Sequence, residues 1–257
     1  MSALPAGRML DCVLVDLNTQ HDFCSPDGAY PIANLHSVVP ALHRIMDWAR
    51  KNRAPIVSSI DSHRRWELNH EGVQVHCVDG TEGQRKLPFT IMKRFMLVEG
   101  DNTLGIKLDW FDEYQQVMFR KRTQDLLGNP KADRFLTQLP CRRYVLFGNG
   151  VENSVKSLAL GLLARSKPVT ILVDACGYWN ASDSDLAARQ INAKGACFVK
   201  VDDFTQQDLP RKSQALTRRR RGEYAVVDPR NGTIIRAPAP HPAPPKAGGA
   251  RAGRQAG

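Results

Sequence analysis

Apolar residues in this chain fall into short runs that stop at a charge or a glycine, and stretches of helical spacing separate them. CVLVDLN (12–18), PIVSSID (55–61), YVLFGNG (144–150) and PVTILVDAC (168–176) are β-rich runs of the kind that form strands buried on both faces. Between and after them, SVVPALHRIMDWARKNRAP (37–55), SVKSLALGLLARS (154–166) and SDLAARQINAKGA (184–196) place apolar residues at helical spacing. Pro40 sits near the start of the first of these, where it is tolerated. Strands alternating with helices predict an α/β fold with three α/β/α layers and a mostly parallel central sheet. Ligands bind such sheets beyond the carboxyl ends of the strands, and Asp16, Asp61 and Gly148–Ser154 all fall there.

After residue 209 the pattern dissolves. RRRR (218–221) is followed by a segment that could fold only as a lone hairpin around Arg230-Asn231-Gly232, and then by a Pro/Ala/Gly/Arg-rich end. This division predicts one domain over residues 1–209 and a disordered basic tail over 210–257. It also changes the meaning of the formal charge of +10. The tail holds 11 Lys/Arg against 2 Asp/Glu, which leaves 25 against 24 for the body. The basicity therefore belongs to the tail, whose expected role is a solubilising extension, with contact to nucleic acid as the alternative. Six cysteines without a CxxC pair read as reduced thiols of a cytoplasmic protein. No apolar run is long enough to cross a membrane.

Two groups of residues could carry chemistry. Asp61 and His63 lie two apart at a strand end and point to the same side, and His76 comes from the next loop; such a mixed set suits zinc, iron or manganese. His70 is either a fourth ligand or a solvated loop histidine. Asp16, Lys121 and Ser154 could supply a proton acceptor, a cation and a hydroxyl nucleophile at a Gly-rich strand-to-helix corner. From the residues alone the alternatives stay open: Asp16 as a turn cap, Lys121 in a solvated basic stretch, Ser154 as a helix N-cap.

The blocks VDLNTQHDFCSPDGAYPI, SSIDSH, VHCVDGTEGQRKLP, FRKRTQD and GNGVENSVKSLALGLLARSKPVTILVDAC, in that order, resemble the isochorismatase-like cysteine hydrolase superfamily, which includes nicotinamidases. The resemblance runs from about residue 10 to 205. It implies Asp16 as general base, Lys121 as second triad member and Asp61, His63 and His76 as metal ligands. It also implies an oxyanion hole from the backbone N–H groups of Gly150 and Ser154, with a non-proline cis peptide at Asn149–Gly150. A small-molecule substrate and a homo-oligomer are implied as well. Four departures accompany the match: Ser154 stands at the cysteine nucleophile's position, VQVHC replaces an aromatic-Pro-Pro-His-Cys context, GNGVEN replaces a G-x-A-T run, and two residues are inserted between Asp16 and Gln20. A serine hydroxyl is several units less acidic than a thiol, and no histidine stands in the matching blocks to act as its base. The expectation is a hydrolase of C–N bonds in a small amide, metal-assisted and with a weakened nucleophile. Its alternative is an inactive pseudoenzyme that keeps the pocket and metal site for ligand binding or assembly. Cys77 is expected to be a packed thiol, and Cys24 a poor substitute nucleophile.

Overall fold

The computed structural model describes residues 9–68, 74–100 and 105–206, and the backbone of two further strands, 223–227 and 234–238. Seven strands form one sheet: β1 (Val13–Leu17), β2 (Ile56–Asp61), β3 (Phe95–Val98), β4 (Gln116–Lys121), β5 (Tyr144–Asn149), β6 (Val169–Gly177) and β7 (Cys197–Val199). Their order is β3-β4-β2-β1-β5-β6-β7, and every pairing is parallel. With the helices this makes the expected three-layer α/β/α arrangement. β1 and β5 are buried along their lengths, which is why they read as mainly apolar runs without alternation. The chain leaves β1 toward β2 on one side and returns later as β5 on the other, so a topological switch point lies between β1 and β5.

The helices are α1 (His21–Cys24), α2 (Leu35–Asn52), α3 (Trp110–Glu113), α4 (Pro130–Gln138), α5 (Lys156–Ala164), α6 (Ala181–Ala193) and α7 (Val201–Gln206). Helix α2 buries Val38, Ala41, Leu42, Ile45, Met46 and Ala49, the i, i+3/i+4 stripe visible in its sequence, and packs against β6. It ends where Arg53 turns left-handed at φ 51°, its N–H closing on the Ala49 and Arg50 carbonyls. Pro40 lies inside this helix because the helix begins at Leu35.

The hydrophobic pattern does not reveal β3, β4 or α4. β3 alternates half-buried and buried positions at the sheet edge, within 93–115, a stretch that reads as loop. β4 ends in Arg120 and Lys121, so its last turns read as a basic stretch although the strand carries Lys121 into the interior, where it is 3% exposed. Glu223–Val227 and Ile234–Pro238 form an antiparallel pair, consistent with a hairpin. Its turn at Arg230-Asn231-Gly232, the order of the rest of the tail, and His70 lie outside the described residues. Among the described residues no helix is long and apolar enough to cross a membrane.

Candidate active site

The carboxyl ends of β1, β2, β4 and β5 converge on a buried polar cluster. β1 stops at Leu17, and Asn18 follows in a left-handed conformation at φ 53°, which asparagine tolerates better than most residues. Ser59 of β2 locks that turn. Its Oγ accepts the Asn18 N–H at 3.1 Å and donates to Asn18 Oδ1 at 2.5 Å. The asparagine amide therefore turns its Nδ2 outward, and Nδ2 donates to Ser154 Oγ at 3.0 Å.

Ser154 reaches this point through the corner after β5. Gly148 has φ 109°, and a Cβ there would lie 2.1 Å from the Leu17 carbonyl oxygen, so the close approach of β5 to β1 requires glycine. Gly150 follows at φ 86°, and Val151–Val155 forms a single π turn before α5. Ser154 is buried in that turn, with Lys121 Nζ 3.5 Å from its Oγ. Two expectations for this corner are not met. No cis peptide occurs among the described residues; the positive φ of Gly150 turns the chain with Asn149–Gly150 trans. The Gly150 N–H is also committed, donating to the Gly177 carbonyl at 2.8 Å rather than facing an oxyanion.

Asp16 is fully buried, but it does not meet Ser154. Its Oδ1 accepts Thr19 Oγ1 at 2.8 Å, and its Oδ2 accepts Ser58 Oγ at 3.0 Å and pairs with Lys86 Nζ at 2.8 Å. Lys86 Nζ also donates to Thr19 Oγ1 at 2.6 Å. The strand register gives the reason. Asp16 lies opposite Ser58, three residues before Asp61, which lies opposite Lys121. At about 3.3 Å per residue that sets Asp16 roughly 10 Å deeper than the Lys121 level. The residue that does stand beside Ser154 is Asn18, two positions before Gln20. With Asn18 as the counterpart of the expected base, no insertion between base and Gln20 is needed. Gln20 itself clamps β2, its Oε1 accepting Asp61 N–H and its Nε2 donating to Asp61 O, both at 2.8 Å.

Lys86 is a residue that sequence reasoning missed. It sits in QRKLP with no apolar pattern to mark burial, yet its side chain is 1% exposed. An antiparallel bridge from Lys86 to Gln20 brings it in.

Asp61, His63 and His76 come together, their ligand atoms all within 4.8 Å of one another. Asp61 ends β2, and His63 is fixed by its N–H to Cys77 O at 3.0 Å and by Asp79 N–H to its own carbonyl at 2.9 Å. His76 Nδ1 lies 2.6 Å from the Gln74 carbonyl, which makes Nδ1 the protonated nitrogen and leaves Nε2 as a donor atom. Burial pushes the His63 imidazole below its ordinary value; Asp61 opposes this, and His76 and Lys121 add to it. A neutral imidazole is the form that binds a metal. Two imidazoles and one carboxylate fit zinc, iron or manganese with positions left for ligand or water. Asp61 Oδ1 also pairs with Lys121 Nζ, so this carboxylate already shares its charge.

The two thiols near the site, Cys24 and Cys77, are buried and held in the protonated form. Burial pushes Cys24 up to about 12, with Asn149 Nδ2 on its sulfur at 3.0 Å, and burial likewise raises Cys77, whose N–H donates to Asp22 Oδ2 at 2.6 Å. Phe23 and Tyr30 pack against His76 and each other, and Trp179 packs against both of them, stacking on Tyr30 with centroids 4.8 Å apart.

Comparison with known proteins agrees with the fold. The isochorismatase domain family model matches residues 12–203. Among solved structures, the pyrazinamidase of Pyrococcus horikoshii in complex with zinc is similar at 19% identity and TM-score 0.59, covering 74% of this chain and 99% of its own. N-carbamoylsarcosine amidase from Thermoplasma acidophilum is similar at 17% identity and TM-score 0.57, covering 75% of this chain and 98% of its own. The MAR1 ribonuclease from Caenorhabditis elegans is similar at 17% identity and TM-score 0.52, covering 82% of this chain and 92% of its own. No curated protein matches the sequence. Amidases and a ribonuclease share this fold, so the fold does not choose the reaction; the site has to.

Proposed function

This chain belongs to the isochorismatase domain family, and from that premise we propose that it holds a divalent metal on Asp61, His63 and His76 and binds a small carbonyl compound beside Lys121, without covalent turnover through Ser154. One observation carries this reading: the group on Ser154 Oγ is the Asn18 amide, a donor that cannot accept the hydroxyl proton. The carboxylate of Asp16, the expected acceptor, is held by Thr19, Ser58 and Lys86. Ser154 thus lacks a base, and the Gly150 N–H lies in a backbone bond. When bound, the metal supplies a Lewis acid for a carbonyl oxygen. The chain's own residues do the rest: Lys121 places positive charge between Asp61 and Ser154, and Asn18 fixes the Ser154 hydroxyl.

A second reading, metal-assisted hydrolysis of a small amide's C–N bond, is favoured by the convergence of all three metal donors. The two separate by experiment. Metal content of the purified protein is measured by elemental analysis, and nicotinamide hydrolysis is followed for the wild type, Ser154→Cys and Asn18→Asp/Ser154→Cys. Binding without covalent turnover predicts stoichiometric metal, an inert wild type and turnover in the double variant. Turnover by the wild type favours the hydrolase, and absence of metal overturns both.

A further inference from the structure

The bonding around Ser154 is one-sided in a way that specifies a ligand. A hydroxyl has two lone pairs and one proton. Ser154 Oγ faces Asn18 Nδ2 at 3.0 Å and the Lys121 ammonium at 3.5 Å, so donors occupy its lone-pair side and its proton is what remains to offer. Asn18 does not take that proton, because its amide presents Nδ2 to Ser154 and turns its Oδ1 toward Ser59 Oγ, 2.5 Å away. Asp16 cannot take it either, being paired with Lys86 at a deeper level of the sheet. The two groups bonded to Ser154 Oγ are thus an amide N–H and an ammonium, and the ammonium is itself held by the Thr123 carbonyl at 2.9 Å and by Asp61 Oδ1. A carboxylate at 18 and a thiolate at 154 would have turned two negative charges toward a ligand; asparagine and serine turn none.

We propose that this site selects a small carboxylate anion over the amide of the same shape, with the Ser154 hydroxyl donating to a carboxylate oxygen and Lys121 supplying positive charge. The inference rests on the non-covalent reading of the site and names its ligand class. A carboxylate presents acceptors only, and its bonds to these donors are charge-assisted. An amide of equal size brings an NH2 group that finds no acceptor among Asn18, Lys121 and Ser154, and a site discriminates against a group it leaves unpaired. The Asp61 carboxylate, which shares Lys121 with Ser154, is matched through its Oδ1 by that ammonium and belongs to the candidate metal set.

The test uses the full-length protein loaded with zinc and two isosteric pairs, nicotinate with nicotinamide and benzoate with benzamide, titrated calorimetrically. Each acid is expected to bind at least about tenfold more tightly than its amide, the scale of one charge-assisted bond gained. Ser154→Ala is expected to shrink that ratio. Asn18→Asp is expected to abolish or invert it by facing the ligand with a carboxylate, and circular dichroism checks that both variants fold. Amides that bind as well as or better than the acids overturn the proposal, and so do acids that fail to bind at about 10 mM, beyond any useful affinity. Failure of the non-covalent reading looks different: the wild type hydrolyses nicotinamide, whatever the ratio of affinities.

Discussion

The two halves of the site differ in what they keep. On the β2–β4 side, Asp61, His63 and His76 gather as a candidate metal-donor set beside Lys121. On the β1–β5 side, residues 18 and 154 are an asparagine and a serine joined by a single hydrogen bond, and the nearby carboxylate is turned down into an ion pair with Lys86. On the proposed reading, the first side holds and polarises a ligand, and the second offers Ser154 no proton acceptor among its hydrogen-bond partners. Binding and bond-breaking are therefore separable within one constellation, because a metal site needs only donor atoms in place, whereas a nucleophile also needs a proton acceptor.

The largest expected effect comes from restoring the poorer side. Asn18→Asp/Ser154→Cys should raise nicotinamide hydrolysis on the order of 10²–10⁴-fold over either single variant, the usual scale of a positioned base, measured as kcat/KM. Comparable rates in Ser154→Cys alone would mean that residue 18 is not the missing partner. Next, Lys86→Met leaves the Asp16 carboxylate buried and unmatched, and urea denaturation should show a loss of about 3–5 kcal/mol, much of it recovered in Asp16→Asn/Lys86→Met. On the richer side, stoichiometric zinc should disappear from His63→Ala. Chelation of the wild type should lower its stability by about 2.7 kcal/mol relative to zinc held at a hundredfold its Kd, read as a fall in Tm. The smallest effect belongs to Ser154→Ala, which removes the acceptor for Asn18 Nδ2 and should cost about 1 kcal/mol in the same denaturation experiment.

How much of this the sequence discloses depends on whether burial leaves a pattern. Short β-rich runs that end at a charge or a glycine announce β1, β2, β5 and β6, and the 3.6-residue stripe announces α2. The D-x-H spacing at the end of β2 announces two of the three metal donors, since alternate strand residues share a face. The strand β4 is concealed because its buried end is written in charged residues. Asp16 misleads for a related reason. An aspartate closing an apolar run looks like a strand-end catalytic group, and only the register, with Ser58 opposite it and Lys86 arriving from a loop seventy residues on, reveals its ion pair with Lys86. The one sequence signal for Asn18 is its spacing, two positions before Gln20, which needs no insertion. Its importance comes from a left-handed turn that aims its amide at a residue 136 positions away, and no local pattern encodes that meeting.

The most direct test of the central claim asks which residue of β1's end stands beside residue 154, without needing a substrate. A thiol is introduced by Ser154→Cys, and its alkylation by iodoacetamide is followed against pH in three backgrounds: otherwise wild type, Asn18→Asp, and Asp16→Asn. A carboxylate placed in contact with the thiol disfavours the thiolate, so Asn18→Asp should move the midpoint upward by about one unit or more, while Asp16→Asn should leave it nearly in place. A midpoint that ignores Asn18→Asp and falls on Asp16→Asn would put Asp16 beside residue 154 and contradict the account.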